Sequence, residues 1–322
     1  MQFTVRKEVI LDELQLLQGI VEKRNTMPIL ANILVQAGAS EVEMTGTDLV
    51  VGLRTHFEAT IDEPGAITVS GKKLFEIVKS LPDGQPVTFR EGKNSMMEIT
   101  SGESEFTIVC LPKDEYPQVP EAKFEKRISL PVETFQAMID RVFFAIAQEQ
   151  RYYLNGALMV LKAKSIELVS TDGHRLSYSS KALDTAGLTK EIRVIVPRKT
   201  MAELSRIDWE GAEEILFGVH ESRVFLKTDR VVLVSNTVEG LFPAFEGQRL
   251  SLEELRAGYG IPEGEGPFRI IPPQSAAGRP DRGNGQPQQT DPIEGVPVEF
   301  EGFNQAPRPL VQHAVFAPHG GD

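Results

Sequence analysis

Apolar positions along the first 245 residues recur with two alternating periods. Ile10, Leu14, Leu17 and Val21 fall on one side of a 3.6-residue period and predict a helix. Phe135, Met138, Ile139, Val142 and Ile146 repeat that pattern and predict a second. Alternating and β-branched stretches at residues 30–37, 41–45, 49–57 and 66–69 read as strands, as do 155–162, 166–170, 175–180 and 191–196. A further amphipathic helix follows each set. One spans 71–81 with Ser70 as N-cap, and the other spans 198–207 behind Pro197. Short strands at 2–6 and 126–130 lead the two series, and strands including 106–111 and 231–237 close them. Asp83-Gly84 and Asp172-Gly173 carry the chemistry of hairpin-type turns.

The two series are copies of one another. Phe3-Thr-Val and Ile128-Ser-Leu, each leading into a helical pattern, lie 125 residues apart. Leu30 and Leu154 are 124 apart, and so are Thr47-Asp48 and Thr171-Asp172. Lys72-Lys73 and Arg198-Lys199 are 126 apart, as are Tyr116-Pro117 and Phe242-Pro243. Five matches in order, within two residues of one spacing, predict two homologous domains at residues 1–122 and 127–246. Each is α+β, with two helices packed on curved antiparallel sheets.

Composition changes after the second copy. The last 75 residues hold 11 Gly, 11 Pro and no lysine, whereas all 15 lysines precede residue 228. Residues 247–322 are therefore expected to be a largely disordered tail, with one short helix at 251–257 capped by Ser251 and Glu254. Over the whole chain of 322 residues, 34 basic groups face 46 acidic ones, a formal net charge of −12. That balance disfavours a surface coated in basic charge, yet it permits a local basic lining. The longest apolar run, Val142 to Ala147, is far short of the ~20 residues that span a bilayer, and no signal-peptide stretch opens the chain. No membrane partner and a cytoplasmic location are expected. The single cysteine, Cys110, excludes an internal disulfide and a Cys-rich zinc site, and reads as a small buried hydrophobe.

Catalytic chemistry is hard to find. No glycine-rich phosphate loop, serine elbow or paired-histidine spacing occurs, so no catalytic residue, metal or cofactor is expected. Asp172 and His174, in Thr171-Asp172-Gly173-His174-Arg175-Leu176, invite an acid–base reading. The first copy has Thr47-Asp48-Leu49, so the Thr-Asp pair reads instead as the cap of a turn. His174 and Arg175 belong to one copy only and are the specific binding feature. Both second helices carry two cations in the first turn, Lys72-Lys73 and Arg198-Lys199. Cations there oppose the helix dipole, and with free N–H groups they form a phosphate-facing device. An ordinary solvated face is the competing explanation. Arg24 and Arg151-Tyr152-Tyr153 occupy roughly equivalent places, and basic residues beside aromatic ones suit contacts to backbone and bases. Buried tyrosines are the alternative there.

The segments RNTMPILANILVQA, TGTDLVVGL, ITVSGKKLFEIVKSLP, RYYLNGALM, STDGHRLSYSS, VIVPRKTMAEL and VEGLFP resemble the bacterial DNA sliding clamps, the beta subunits of DNA polymerase III. The resemblance runs in order over about residues 1–245 and ends at Phe242-Pro243. It implies a ring without catalysis. Three similar domains per subunit and two subunits head to tail surround double-stranded DNA, with helices lining the hole. Such a clamp tethers the replicative polymerase to its template. By resemblance Arg24, Lys72, Lys73, Arg151, Tyr152, Tyr153 and Arg198 face DNA, with Arg24 and Arg198 the strongest candidates. The resemblance also implies a groove for short peptides of the polymerase III catalytic subunit, the clamp loader and other partners. Its half in the second domain corresponds to Leu154, Thr171, Gly173, His174, Arg175, Leu176 and Pro243. Apolar Leu154, Leu176 and Pro243 would receive an anchor, and His174 and Arg175 would give a polar rim. The strand with Phe106 and Ile108 would be the first-domain side of the subunit interface.

The tail departs from that pattern. It shows no third repeat, so half the groove and the surface facing Phe106 and Ile108 have no counterpart. An uncovered apolar edge is an association liability. Two readings stay open: a clamp that encircles DNA, and a clamp-derived two-domain module that binds peptides without encirclement. The missing repeat favours failure to form the usual homodimeric ring. Size-exclusion chromatography with light scattering should then show no ring-sized dimer. A stable dimer that stays on closed circular DNA and leaves on linearisation would overturn this expectation.

Overall fold

One order of elements is laid down twice. The computed structural model describes residues 1–21, 27–122, 124, 127–148, 154–185, 188–209, 211–245, 298–299 and 313–316. The first series is β1 (Gln2–Arg6), α1 (Lys7–Leu17), β2 (Asn32–Ala37), β3 (Glu41–Thr47), β4 (Val51–Glu58), β5 (Thr60–Glu63), β6 (Gly65–Ser70), α2 (Gly71–Ser80), β7 (Pro86–Glu91), β8 (Met96–Ser101) and β9 (Ser104–Leu111). The second is β10 (Ile128–Pro131), α3 (Val132–Phe143), β11 (Gly156–Lys162), β12 (Ser165–Thr171), β13 (Arg175–Ala182), β14 (Ile192–Pro197), α4 (Arg198–Arg206), β15 (Glu214–His220), β16 (Arg223–Lys227) and β17 (Val231–Asn236). Removing β5 makes the two orders the same. Two short tail strands follow, β18 (Val298–Glu299) and β19 (His313–Phe316).

Packing divides the chain differently from the repeat. One compact unit combines Met1–Val132 with Glu203–Asn236, and the other combines Glu133–Ala202 with Thr237–Asp322. The first unit is built on a thirteen-stranded sheet in the order β10-β15-β16-β17-β4-β3-β2-β6-β9-β8-β7-β1-β5. Its strands are antiparallel, and β17 meets β4 with Leu233 opposite Leu53. Ile10, Leu14 and Leu17 of α1 are fully buried, each contributing about 1.5–3 kcal/mol by leaving water. Phe3 stacks on Phe89 with ring centroids 4.7 Å apart. Glu13 lies on the same buried face of α1. Its carboxylate accepts hydrogen bonds from the Thr55 hydroxyl and from Arg230 Nη1, the latter at 3.2 Å. Burial nevertheless raises its pKa above the ordinary carboxylate range.

The second unit holds a six-stranded sheet, β14-β11-β12-β13-β19-β18. All pairings are antiparallel except β13 with β19, which run parallel with Leu176 opposite Ala314. Phe135, Met138, Ile139 and Val142 of α3 are buried, together with Ile146 just beyond it. Gly156 opens β11 because a Cβ there would sit 2.6 Å from the Val196 carbonyl oxygen.

Most predicted elements form within two residues of their expected bounds, and three differences have local causes. The strand expected from residue 30 begins at Asn32, because Pro28–Ala31 wind a 3₁₀ turn with Pro28 at its first position. The strand expected from residue 49 begins at Val51, because Leu49 adopts φ +75° inside a turn. Asp83-Gly84 joins α2 to β7 and is no hairpin. The Gly84 N–H donates to Glu8 Oε1 at 2.9 Å, and Lys7 Nζ donates both to Asp83 Oδ1 and to the Leu81 carbonyl at the end of α2. The helix expected at 251–257 lies outside the described residues.

Leu49 and Gly173 hold the same left-handed place in the two copies, with φ +75° and φ +89°. A side chain costs about 1–2 kcal/mol in that region, partly offset by the greater chain entropy of glycine when unfolded. Leu49 is half exposed and gives up little burial. Leu49→Gly is therefore expected to stabilise the protein by about 0.5 kcal/mol, and Gly173→Ala to destabilise it by about 1 kcal/mol. Urea denaturation checks both signs.

Candidate functional site

The start of α2 presents its cations outward. Leu74 and Val78 are buried on one face, while Lys72 and Lys73 are exposed on the other. Ser70 Oγ accepts the Lys73 N–H at 3.5 Å and caps the helix as its sequence predicts. Lys72 Nζ lies 3.6 Å from Glu76 one turn on. Lys73 has no carboxylate partner among the described residues. Exposed cations at a helix start leave both their charge and nearby N–H groups open to an anion.

Arg198 behaves differently although it holds the place of Lys72. Its guanidinium lies 4.4 Å from the centre of the Phe143 ring, and Nη1 donates to the carbonyls of Phe143 and Ile146. Two of its five N–H donors are thus engaged inside the protein. Arg24, Arg151, Tyr152 and Tyr153 lie outside the described residues, so no position is assigned to them.

The segment Thr171–Arg175 closes the hairpin between β12 and β13. Asp172 Oδ1 accepts the N–H groups of His174 at 2.9 Å and Arg175 at 3.0 Å. Thr171 Oγ1 donates to the Arg175 carbonyl at 2.7 Å and accepts the Gly173 N–H at 3.1 Å. The first copy repeats this wiring bond for bond. Asp48 Oδ1 accepts from Val50 and Val51, while Thr47 Oγ1 donates to the Val51 carbonyl and accepts the Leu49 N–H. The shared residues are thus a turn cap, and the copies differ in what the cap displays. The second displays an exposed His174 and an Arg175 whose Nε returns to Asp172 Oδ2 at 2.9 Å and whose guanidinium lies 5.4 Å from the Phe144 ring. Burial opposes charge on Asp172, but the two N–H groups and the guanidinium outweigh it and hold its pKa below the ordinary value. With both oxygens occupied, Asp172 is poorly placed to orient His174 as a base.

The apolar part of the candidate groove is only partly open. Leu154 is fully buried and its carbonyl accepts the Ala147 N–H at 3.2 Å. Thr171 and Leu176 are also buried. Leu176 joins Leu158, Val160, Val169, Tyr178, Ile195 and Phe245 in one cluster, with Val238 and Phe242 packed on it. Pro243 is half-buried beside that strap. The first copy has a related strap. Tyr116 packs with Ile29 and Leu30, its hydroxyl reaches the Asn32 and Thr45 carbonyls, and the Val119 carbonyl accepts from Arg54. Phe245 is the residue of this region that sequence reasoning missed. Its spacing of 126 from Val119 could have revealed it. Leu241, two residues before Pro243, is 91% exposed and was also not singled out.

On β9 the two candidate residues part company. Phe106 is partly exposed, whereas Ile108 is buried opposite Met97 of β8. Among the described residues, the other side of β9 is taken by β6 only at Cys110 and Leu111, which leaves residues 105–109 as an edge there. Val109 and Leu111 add exposed apolar surface there. Cys110 is buried and its thiol is pushed up to about 11 by desolvation, the state of an unreactive core residue. Among the described residues no group of three or more His, Cys, Asp or Glu could hold a metal ion, and no helix is long and apolar enough to cross a membrane.

Comparison with known proteins gives concordant results. Residues 1–120 match the model of the DNA polymerase III beta subunit N-terminal domain, and residues 129–244 match that of its central domain. The beta sliding clamp of Pseudomonas putida is 36% identical over 321 residues, covering 94% of this chain and 85% of that protein. The crystal structure of the DNA polymerase III subunit beta from Pseudomonas aeruginosa is similar with a TM-score of 0.73 and 33% identity, covering 81% of this chain and 73% of that one. The DNA polymerase sliding clamp from Bacillus subtilis gives a TM-score of 0.74 at 26% identity, covering 82% and 75%. One expectation changes. The Pseudomonas putida alignment reaches past Pro243 into the tail, so the likeness is longer than the motifs alone indicate.

The turn gives a pH test. Because the native pKa of Asp172 is lowered, its ionised form stabilises the fold above the ordinary value of 3.8, and that contribution is lost as pH falls through the lower native value. Asp172→Asn should cost about 1–2 kcal/mol at pH 7. The difference from wild type should shrink below pH 3.8, as read by denaturation across pH.

Proposed function

The chain belongs to the DNA polymerase III beta subunit family, the beta sliding clamps, and on that premise we propose how its own residues serve a clamp. It is a sliding-clamp processivity factor of DNA replication and a non-catalytic subunit. We propose that residues 1–122 and 127–246 act as two clamp domains and that the face carrying Lys72 and Lys73 tracks double-stranded DNA. The observation that carries this reading is the open first turn of α2, where two exposed lysines stand opposite a buried stripe. Contacts of this kind meet phosphate alone, carry no sequence information and so permit sliding. Arg24, Arg151, Tyr152 and Tyr153 belong to the same proposed DNA face.

The proposed partner site is the hairpin Thr171–Leu176 with Leu154 and Pro243, receiving short peptides of the polymerase and other replication proteins. Duplication supports it. Two copies share one turn, and only the second displays His174 and Arg175. The partly exposed edge of β9, with Phe106, is proposed as a subunit contact.

Two variants separate these roles. Lys72→Ala combined with Lys73→Ala should weaken binding to duplex DNA and lower the slope of log K against log salt by about two, with peptide affinity unchanged. His174→Ala should weaken a peptide from the polymerase catalytic subunit about fivefold with no change in DNA binding or stability. An unchanged salt slope refutes the DNA face, and unchanged peptide affinity refutes the groove.

A further inference from the structure

Arg175 is held by three contacts. Its backbone N–H donates to Asp172 Oδ1 at 3.0 Å, and its Nε donates to Asp172 Oδ2 at 2.9 Å. Its guanidinium carbon lies 5.4 Å from the centre of the Phe144 ring, within the range of a cation–π contact. Phe144 is half-buried one residue beyond the end of α3. An arginine side chain has five N–H donors, and Nε accounts for one of them. Those on Nη1 and Nη2 have no partner among the described residues, and the side chain is 37% exposed. The head group is thus given a direction while its outer fork stays open.

The first copy shows that the turn does not need this arrangement. Its Thr-Asp cap makes the same hydrogen bonds. The counterpart of Arg175, 124 positions earlier, is Val51, which is fully buried. Leu14 and Leu17 lie 125 positions before Ile139 and Val142, and at that spacing Phe144 corresponds to Gly19. The cation and the ring beneath it are both absent from the first copy and both present in the second, so the pair answers to something other than the hairpin. Charge indicates what the open fork can take. The lowered pKa of Asp172 keeps it ionised at neutral pH, so Asp172 and Arg175 together carry no net charge. A carboxylate seated on the fork would lie within the ~8 Å over which exposed charges act, and Asp172 would repel it. A neutral acceptor meets the same donors without that opposition. An extended peptide offers one at every residue, its backbone carbonyl.

We propose that Phe144 is a positioning residue of the partner-peptide site: with Asp172 it aims the Nη groups of Arg175 at backbone carbonyls of an extended peptide. This rests on the reading of Thr171–Leu176 as that site. The test measures binding of the full chain to a fluorescent peptide from the polymerase catalytic subunit. Arg175→Gln should weaken it about tenfold and Phe144→Leu about threefold. Phe144→Tyr, which keeps the ring face, should restore the affinity lost in Phe144→Leu. In the Arg175→Gln background Phe144→Leu should cost nothing more, because the ring acts only through the guanidinium. A full loss of about threefold in that background makes Phe144 a merely structural residue and overturns the proposal. Amidating the carboxylates of the peptide one at a time should change affinity by less than about twofold. A loss of about tenfold at one of them, absent in Arg175→Gln, makes a carboxylate the acceptor and also overturns the proposal. Exchange of the Arg175 Nε–H, followed by nitrogen-resolved NMR, needs no peptide. It should quicken about threefold in Phe144→Leu, and unchanged exchange overturns the proposal. If His174→Ala and Arg175→Gln both leave peptide affinity unchanged, the peptide-site reading has failed and the proposal falls with it. If both weaken binding and Phe144→Leu does not, the proposal alone falls.

Discussion

A strand inside a sheet needs partners on both sides, and the edge of β4 is where this requirement shapes the molecule. Residues 51–55 would otherwise present a row of unpaired N–H and carbonyl groups. The structure fills that row with residues 231–235 of β17, which come from the second copy of the repeat. The unit that results is a thirteen-stranded sheet whose strands come from both copies. Buried Glu13 depends on the same arrangement. Arg230, which meets its carboxylate, stands one residue before β17 and reaches α1 only because β17 lies beside β4. Removing Arg230, which is itself partly exposed, would leave the buried Glu13 carboxylate without its cation, the costly half of such a pair.

Duplication lets each copy act as a control for the other. The Thr-Asp turns share the same hydrogen bonds, so those bonds answer to the geometry of a hairpin in a twisted sheet. What differs between copies has another reason. Leu49 sits where glycine sits in its counterpart, and the first copy therefore carries backbone strain that the second avoids. Tyr116 finds two carbonyls for its hydroxyl, while Phe242 packs without one. Each strap closes an apolar face, but only the first does so with a polar lock.

Much of this was legible in the residues because the relevant forces are local. Helix faces follow from a 3.6-residue period, and the repeat follows from residue identity, so α1 to α4 and twelve of the nineteen described strands could be placed, whereas β5, β7, β8, β15, β16, β18 and β19 had no assigned range. The misplaced boundaries trace to backbone conformations that hydropathy does not encode. Examples are the 3₁₀ turn at Pro28–Ala31 and the left-handed Leu49. The assignment of strands to sheets was not legible at all. Pairing β17 with β4 joins residues almost 180 positions apart, and nothing in either segment names its partner. At the site, the lysines of α2 could be read because amphipathicity settles which face is wet. The fate of Arg198 could not, since it depends on the end of α3 lying within reach.

Charge shows the same limit from another side. A formal net charge of −12 describes the chain as a whole, but in ~0.15 M salt exposed charges act over about 8 Å. At the start of α2 Lys72, Lys73 and Glu76 are therefore felt more strongly than distant carboxylates. Two cations in a first turn oppose the helix dipole at a cost of about 0.3–1 kcal/mol each, which a bound anion would offset. Arg198 occupies the equivalent place in α4, but its charge answers the carbonyl end of α3. Here two of the guanidinium's donors are turned to carbonyls at and just beyond the end of a neighbouring helix. Equivalent positions in a duplicated fold can thus carry the same charge toward different counterparts, and only the neighbouring backbone decides which.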